Sequence, residues 1–205
     1  MNTLKIVLDN NPSNPRSWDN LGTIAYKHRN YDLGEEKIDE PIEWLEDKLN
    51  LSQGFIYSNE RLEQLEEKFY EKFIALPLYF YEHSSCSIKT TSFNCKWDSG
   101  KIGYIYATKK QVLKELGSKI VTEKLREQVL SIFRGEIETF DHYVRGDIYG
   151  FVIEDEEGNP IDSCFGFYGE NWEDNGLIDH IDLEELNLET KEQLLELLKQ
   201  TEIEY

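Results

Sequence analysis

Apolar residues recur along this chain at two periods, and the switches between them mark its elements. From Ile38, the positions Ile38, Ile42, Leu45 and Leu49 fall four, three and four residues apart, which lines them along one face of an α-helix. A second helix is predicted from a cap at Asn59, with Leu62, Leu65, Phe69 and Phe73 as its buried stripe and a stop just before Pro77. Further helices are expected over about 109–116, then on Val121, Leu125, Val129, Ile132 and Phe133 up to a stop at Gly135, and over 136–144 on Ile137, Phe140 and Val144. A C-terminal helix on Leu194, Leu195, Leu197 and Leu198, capped by Asp182 or Asn187, is expected to end the fold. Between these lie short alternating segments rich in aromatic and β-branched residues: 4–8, 21–26, 76–81, 87–93, 102–106, 148–153 and 161–167. The polar stretch 154–160, with Gly158, Asn159 and Pro160, reads as the turn of a β-hairpin. Strands and helices mix without a regular βαβ alternation, so the predicted class is α+β. The expected architecture is one antiparallel sheet of about five to seven short strands packed with amphipathic helices, acidic helices at the periphery, in a single domain over 1–205.

Composition agrees with a folded chain and adds an asymmetry of charge. The 205 residues include 39% hydrophobic and 13% aromatic side chains, enough to bury a core, yet 41 acids against 22 bases leave a formal charge of −19. Residues 1–31 carry +2, 32–71 carry −9, 72–169 carry −2 and 170–205 carry −10. The excess therefore sits in two stretches that the periodicity predicts to be largely helical. A net charge of this sign repels phosphate, so nucleic acid and anionic membrane surfaces are not expected as direct partners, and basic proteins are. Three cysteines at irregular spacing suit reduced thiols better than a secreted disulfide framework. No signal-like or membrane-length apolar run occurs, and the expected location is the cytoplasm.

Four blocks carry a resemblance: 18–23 (WDNLGT), 76–81 (LPLYFY), 95–106 (CKWDSGKIGYIY) and 162–169 (DSCFGFYG). They resemble, in order and over most of the chain, those of a family of hypothetical proteins of bacteriophages and mobile elements, and the Trp-Asp-Ser-Gly block is the most distinctive. The resemblance brings no activity or residue role with it. It implies a genomic context, that of small accessory phage proteins concerned with host takeover or with blocking host defence. Read from the residues themselves, the same blocks are architectural: Gly22, Gly100 and Gly103 beside aromatics suit tight turns and close backbone approach. The competing reading is an aromatic binding surface made of Trp97, Tyr104, Tyr106, Tyr149 and Tyr168.

Motifs for catalysis are weak. His83, Cys86, Cys95 and Cys164 lack the paired short spacings of structural zinc sites, so no metal is expected, and a Cys164 nucleophile with His142 or His83 has no signature around it. Asp141-His142, Asp179-His180 and Glu82-His83 are adjacent in sequence, and adjacent side chains diverge on either kind of element. The one basic concentration, Lys109, Lys110, Lys114, Lys119, Lys124 and Arg126, is interspersed with acids as a solvated helix face is. Phosphate-binding glycine loops are absent, and no cofactor is expected.

The leading expectation is thus a non-enzymatic interaction protein, of counter-defence type, that offers acidic helices to the nucleic-acid-binding face of a basic host protein, a defence component. Its candidate contact residues are Glu36, Asp39, Glu40, Glu43, Glu46, Asp47, Glu63, Glu66 and Glu67 in the first acidic stretch. In the second they are Asp182, Glu184, Glu185, Glu189 and Glu192. The alternative is a small hydrolase or transferase with Asp98, Asp162 or Cys164 acting in a pocket beside the aromatic sheet.

Overall fold

The computed structural model describes residues 2–52, 54, 57–95 and 97–204. In chain order its elements are β1 (Thr3–Leu8), β2 (Thr23–Tyr26), β3 (Glu36–Lys37), α1 (Pro41–Leu49), α2 (Asn59–Lys72), β4 (Phe73–Glu82), β5 (Cys86–Lys89), β6 (Ser99–Thr108), α3 (Lys109–Glu115), α4 (Glu123–Arg145), β7 (Ile148–Glu154), β8 (Pro160–Tyr168), α5 (Lys191–Leu198) and β9 (Ile203–Glu204). The fold is α+β. Its strands make two sheets rather than one, each with a parallel pair at one edge. The sheets belong to two compact units, Met1–Pro15 with His142–Tyr205, and Arg16–Asp141.

The Arg16–Asp141 unit holds the sheet β3-β2-β6-β4-β5. The apolar stripe of α1 does what its spacing predicts: Ile38, Ile42 and Leu45 join Leu65 and Phe69 of α2 against Ala25, Phe73, Ala75, Tyr104 and Tyr106 of the sheet. Pro41 presets the first turn of α1, and Asn50, in the left-handed region at φ 57°, ends it. The cap of α2 is Ser58, whose hydroxyl accepts the Arg61 N–H at 3.1 Å, rather than Asn59, the first helical residue. That helix stops at Lys72, short of the expected boundary, because Phe73, Ile74 and Ala75 pair as strand with Thr108, Ala107 and Tyr106. Pro77 then lies inside β4. It is tolerated because β5 pairs only Tyr79–Glu82, so the flank at Pro77 needs no N–H.

Helix α4 crosses Gly135 without a break and unites two predicted helices. Val129, Leu130, Phe133, Ile137 and Phe140 are buried on both sides of that residue, and continuous burial outweighs the roughly 1 kcal/mol that an exposed helical glycine costs relative to alanine.

In the other unit the order is β8-β7-β1-β9, with the predicted hairpin joining β7 and β8. Asp155 builds its turn by accepting the backbone N–H groups of Glu157 and Asn159. The cap of α5 is Thr190, in a capping box with Gln193, and neither Asp182 nor Asn187. Asn187 instead ends a short 3-10 turn, Glu184–Leu186, at φ 55°. The helix does not end the fold: β9 follows and pairs in parallel with β1. Leu194 and Leu198 of α5 pack with Ile6, Phe151, Ile153 and Leu177 in this unit's core.

Candidate functional site

The structure sorts the candidate acids by whether their charge is already used. Glu46 is fully buried: it sits on the apolar stripe of α1, one turn after Ile42, and is paired with Arg61 at 2.7 Å and the Gly54 N–H at 2.8 Å. It is a core ion, not a contact residue. Arg61 first and the Gly54 amide second hold its carboxyl below the usual range despite burial. A carboxylate lowered on folding adds stability above its unfolded value and loses it as pH falls through the folded one. Wild-type protein should therefore lose more thermal stability than Glu46→Gln between about pH 5 and 3. Melting curves with equal pH slopes would remove Glu46 as the cause.

Several other candidates in this unit are also engaged. Glu36 takes Lys48 at 2.9 Å and the Tyr106 hydroxyl at 3.0 Å; Glu66 takes Lys101 at 2.7 Å and the Tyr104 hydroxyl at 2.6 Å. Glu40 pairs with Lys27, and Glu43 accepts the Tyr57 hydroxyl. Asp39, Asp47, Glu63 and Glu67 are exposed and carry no ion pair among the described residues. Glu60 and Glu71 share that state, so α2 presents Glu60, Glu63, Glu67 and Glu71 at intervals of three, four and four, a line of free carboxylates opposite its buried Leu65 and Phe69.

In the second acidic stretch, Asp182 accepts the Glu184 N–H in a local turn, and Glu184 and Glu189 are exposed. Glu185 is half-buried. Glu192 is exposed in the first turn of α5, its carboxyl held low by its own backbone N–H and then by the Thr190 hydroxyl.

The aromatic candidates do not form one surface. Tyr104 and Tyr106 are buried against Phe69 and Trp44, with the Trp44 and Tyr104 rings stacked at 5.6 Å, and burial drives the Tyr104 hydroxyl far above its usual range. Tyr149 is buried in the other unit, where Tyr168 is half-buried and bonds the Ser13 carbonyl. Trp97 alone is free, at 96% exposure. Cys86, Cys95 and Cys164 are unpaired thiols, and among the described residues no three His, Cys, Asp or Glu side chains converge to hold a metal. Asp162 accepts the Ser163 N–H on β8, and Cys164 is half-buried on the same strand. No described helix is long and apolar enough to cross a membrane.

Sequence reasoning missed the end of the larger sheet. β2 and β4 both finish there and β6 starts there, so Lys27 and His28, Glu82, and the Trp97–Asp98–Ser99–Gly100 block are brought together. A bulge after Leu78 leaves Ile102 as the extra residue of β6, and its carbonyl takes the Lys27 N–H at 2.7 Å, which fixes the start of the 27–30 turn. His28 is held there. Its Nδ1 accepts the Asn30 and Tyr31 backbone N–H groups at 3.3 and 3.2 Å, its ring lies 5.0 Å from that of Phe80, and its Nε2 faces Glu82 at 3.4 Å. Two cavities share His28 and Glu82. One, of about 570 Å³, is lined by Lys27, Arg29, Lys37 and Asp39; the other, of about 310 Å³, by Phe80, Trp97, Asp98 and Gly100. The signal available in the sequence was Lys27-His28-Arg29, three consecutive basic-type side chains in an acidic chain. Compared with known proteins, the chain matches no family model, no curated protein and no solved structure.

Proposed function

We propose that the protein is a phage-type accessory interaction protein, a counter-defence inhibitor that lays acidic helices against the basic, nucleic-acid-binding surface of a host protein. The observation that supports this reading is the free carboxylate line of α2. Where Glu36, Glu46 and Glu66 spend their charge inside the fold, Glu60, Glu63, Glu67 and Glu71 have no partner among the described residues and all point away from the core. Successive members rise about 4.5 to 6 Å along the helix, a spacing that lets an Arg/Lys cluster meet several carboxylates at once in place of phosphates. The phage context rests on the resemblance of the four sequence blocks.

Attraction of this kind is additive and screened by salt, with a Debye length of about 8 Å at physiological ionic strength. The test is capture of proteins from a bacterial lysate at about 50 mM and about 500 mM salt, a range over which screened contacts weaken strongly. A bound basic protein should be released by high salt and displaced by added nucleic acid. Single Glu→Gln changes on α2 should weaken capture a few-fold and the quadruple change Glu60→Gln, Glu63→Gln, Glu67→Gln, Glu71→Gln should abolish it. Capture by the quadruple variant equal to that by wild type would reject the acidic-helix reading.

A further inference from the structure

The end of the larger sheet is a charge exception in this chain. Lys27 is neutralised by Glu40, and Glu82 faces His28, but Arg29 and Lys37 are exposed on the larger cavity with no ion pair among the described residues. Asp39 is the cavity's remaining acid. The adjoining lobe offers the free Trp97 ring, with Asp98 as an acceptor. We propose that this end of the sheet binds a small phosphorylated molecule carrying a flat ring, of the mononucleotide class, with its phosphate between Arg29 and Lys37 and its ring on Trp97.

Three observations support that choice. First, the lobes are contiguous through His28 and Glu82, and their volumes, about 570 and 310 Å³, lie in the range of small-molecule sites. Second, the shared wall is preorganised: His28 is 15% exposed, and because its Nδ1 accepts two backbone N–H groups, a neutral ring carries its hydrogen on Nε2, the atom that faces Glu82. Third, Arg and Lys suit a compact dianion, and an exposed indole suits a planar partner, whereas a nucleic-acid strand would have to approach a chain of net charge −19. Asp98 and Glu82 are placed to accept hydrogen bonds from ring amines or sugar hydroxyls.

The experiment is calorimetric titration of the full chain at about 50 mM salt, where charge contacts are little screened, with AMP, inorganic phosphate and a short single-stranded oligonucleotide. AMP should bind more tightly than phosphate. Arg29→Gln with Lys37→Gln should weaken both by about tenfold or more, and Trp97→Ala should weaken AMP by about tenfold while leaving phosphate unchanged. The substituted residues are exposed, and circular dichroism and melting curves matching wild type establish that the variants fold. The site is refuted if neither AMP nor phosphate binds at millimolar concentration, or if the double variant binds AMP as wild type does. Equal affinity for phosphate and AMP, with no effect of Trp97→Ala, refutes the ring-bearing class. An oligonucleotide that binds more tightly than AMP replaces the small ligand with a nucleic-acid strand.

Discussion

Gly103→Ala should destabilise the Arg16–Asp141 unit by about 3 kcal/mol or more, the upper range for overpacking a core. A Cβ at this position would lie 1.9 Å from the Ala25 carbonyl oxygen and 2.9 Å from both the Ala25 carbonyl carbon and the Tyr26 Cα. All three are backbone atoms of β2, whose Tyr26 is the register partner of Gly103, so no change of rotamer can make room. The only relief is separation of β2 from β6, which would break the pairing over Thr23–Tyr26 and release the Lys27–Ile102 hydrogen bond that sets the sheet end. Gly100, three residues earlier in the same strand, is the control: nothing lies within 4 Å of its Cβ position, and Gly100→Ala should stay within about 0.5 kcal/mol of wild type. Urea unfolding reads both, as a lower midpoint with an unchanged slope for Gly103→Ala. A midpoint no different from that of Gly100→Ala would show that the close approach imposes no constraint.

The same comparison separates what the sequence could and could not reveal. Glycine beside aromatics suggested close backbone approach at Gly22, Gly100 and Gly103 alike. It holds at Gly103 against the β2 backbone; at Gly22 what lies close, 2.5 Å from its Cβ position, is the Ile105 side chain, and at Gly100 nothing lies within 4 Å. A local pattern shows where a small residue stands, not what stands opposite it. Periodicity behaved in the same way. The stripes Ile42/Leu45 and Leu65/Phe69 and the 154–160 hairpin turn were legible because each is fixed by neighbours in sequence. That the strands divide between two sheets was not, because pairing depends on partners far apart in the chain, such as Thr3 with Glu154. The two-residue edge strands β3 and β9 are too short to show any alternation.

The acids show the limit most clearly. Within 32–71 every Glu and Asp contributes equally to a formal charge, yet burial turns Glu46 inward, tyrosine and lysine partners occupy Glu36 and Glu66, and the outer line of α2 stays free together with Asp39 and Asp47. One of these distinctions was available beforehand: Glu46 follows Ile42 by four residues, on the buried face, where a charge must find a partner. The others needed Lys101, Tyr104 and Tyr106, which arrive from β6 only when the sheet forms under the helices. Two of the aromatic residues offered as a binding surface, Tyr104 and Tyr106, are, for the same reason, part of the floor on which α1 and α2 pack.

Arg16→Ala should be the second severe substitution, at about 3 kcal/mol near neutral pH, the lower end of the range for stripping the partner from a buried charge. The Arg16 guanidinium is 5% exposed, and its contacts within its unit include Glu35 at 2.9 Å, Glu136 at 3.3 Å and the Gly22 carbonyl at 2.6 Å. Glu136, 11% exposed on α4, also accepts the Leu21 and Gly22 N–H groups, so one carboxylate ties the 16–22 loop to that helix. Burial already pushes the Glu136 carboxyl above its usual range, opposed by the Leu21 amide and by Arg16. With the cation removed, the push should grow. A carboxyl raised on folding contributes stability below its unfolded value, near pH 4.5, and loses it as pH rises through the folded value, so the deficit of Arg16→Ala relative to wild type should widen from about pH 4 to pH 7. Adding Glu136→Gln should restore about 1 kcal/mol or more at neutral pH, since the amide keeps an acceptor for the Leu21 N–H while shedding the uncompensated charge. Urea unfolding of the single and double variants at the two pH values measures each term. A deficit that is the same at both, or a double variant no more stable than Arg16→Ala, would show that Arg16 acts through its contacts with Glu35 and Gly22 and not by neutralising Glu136.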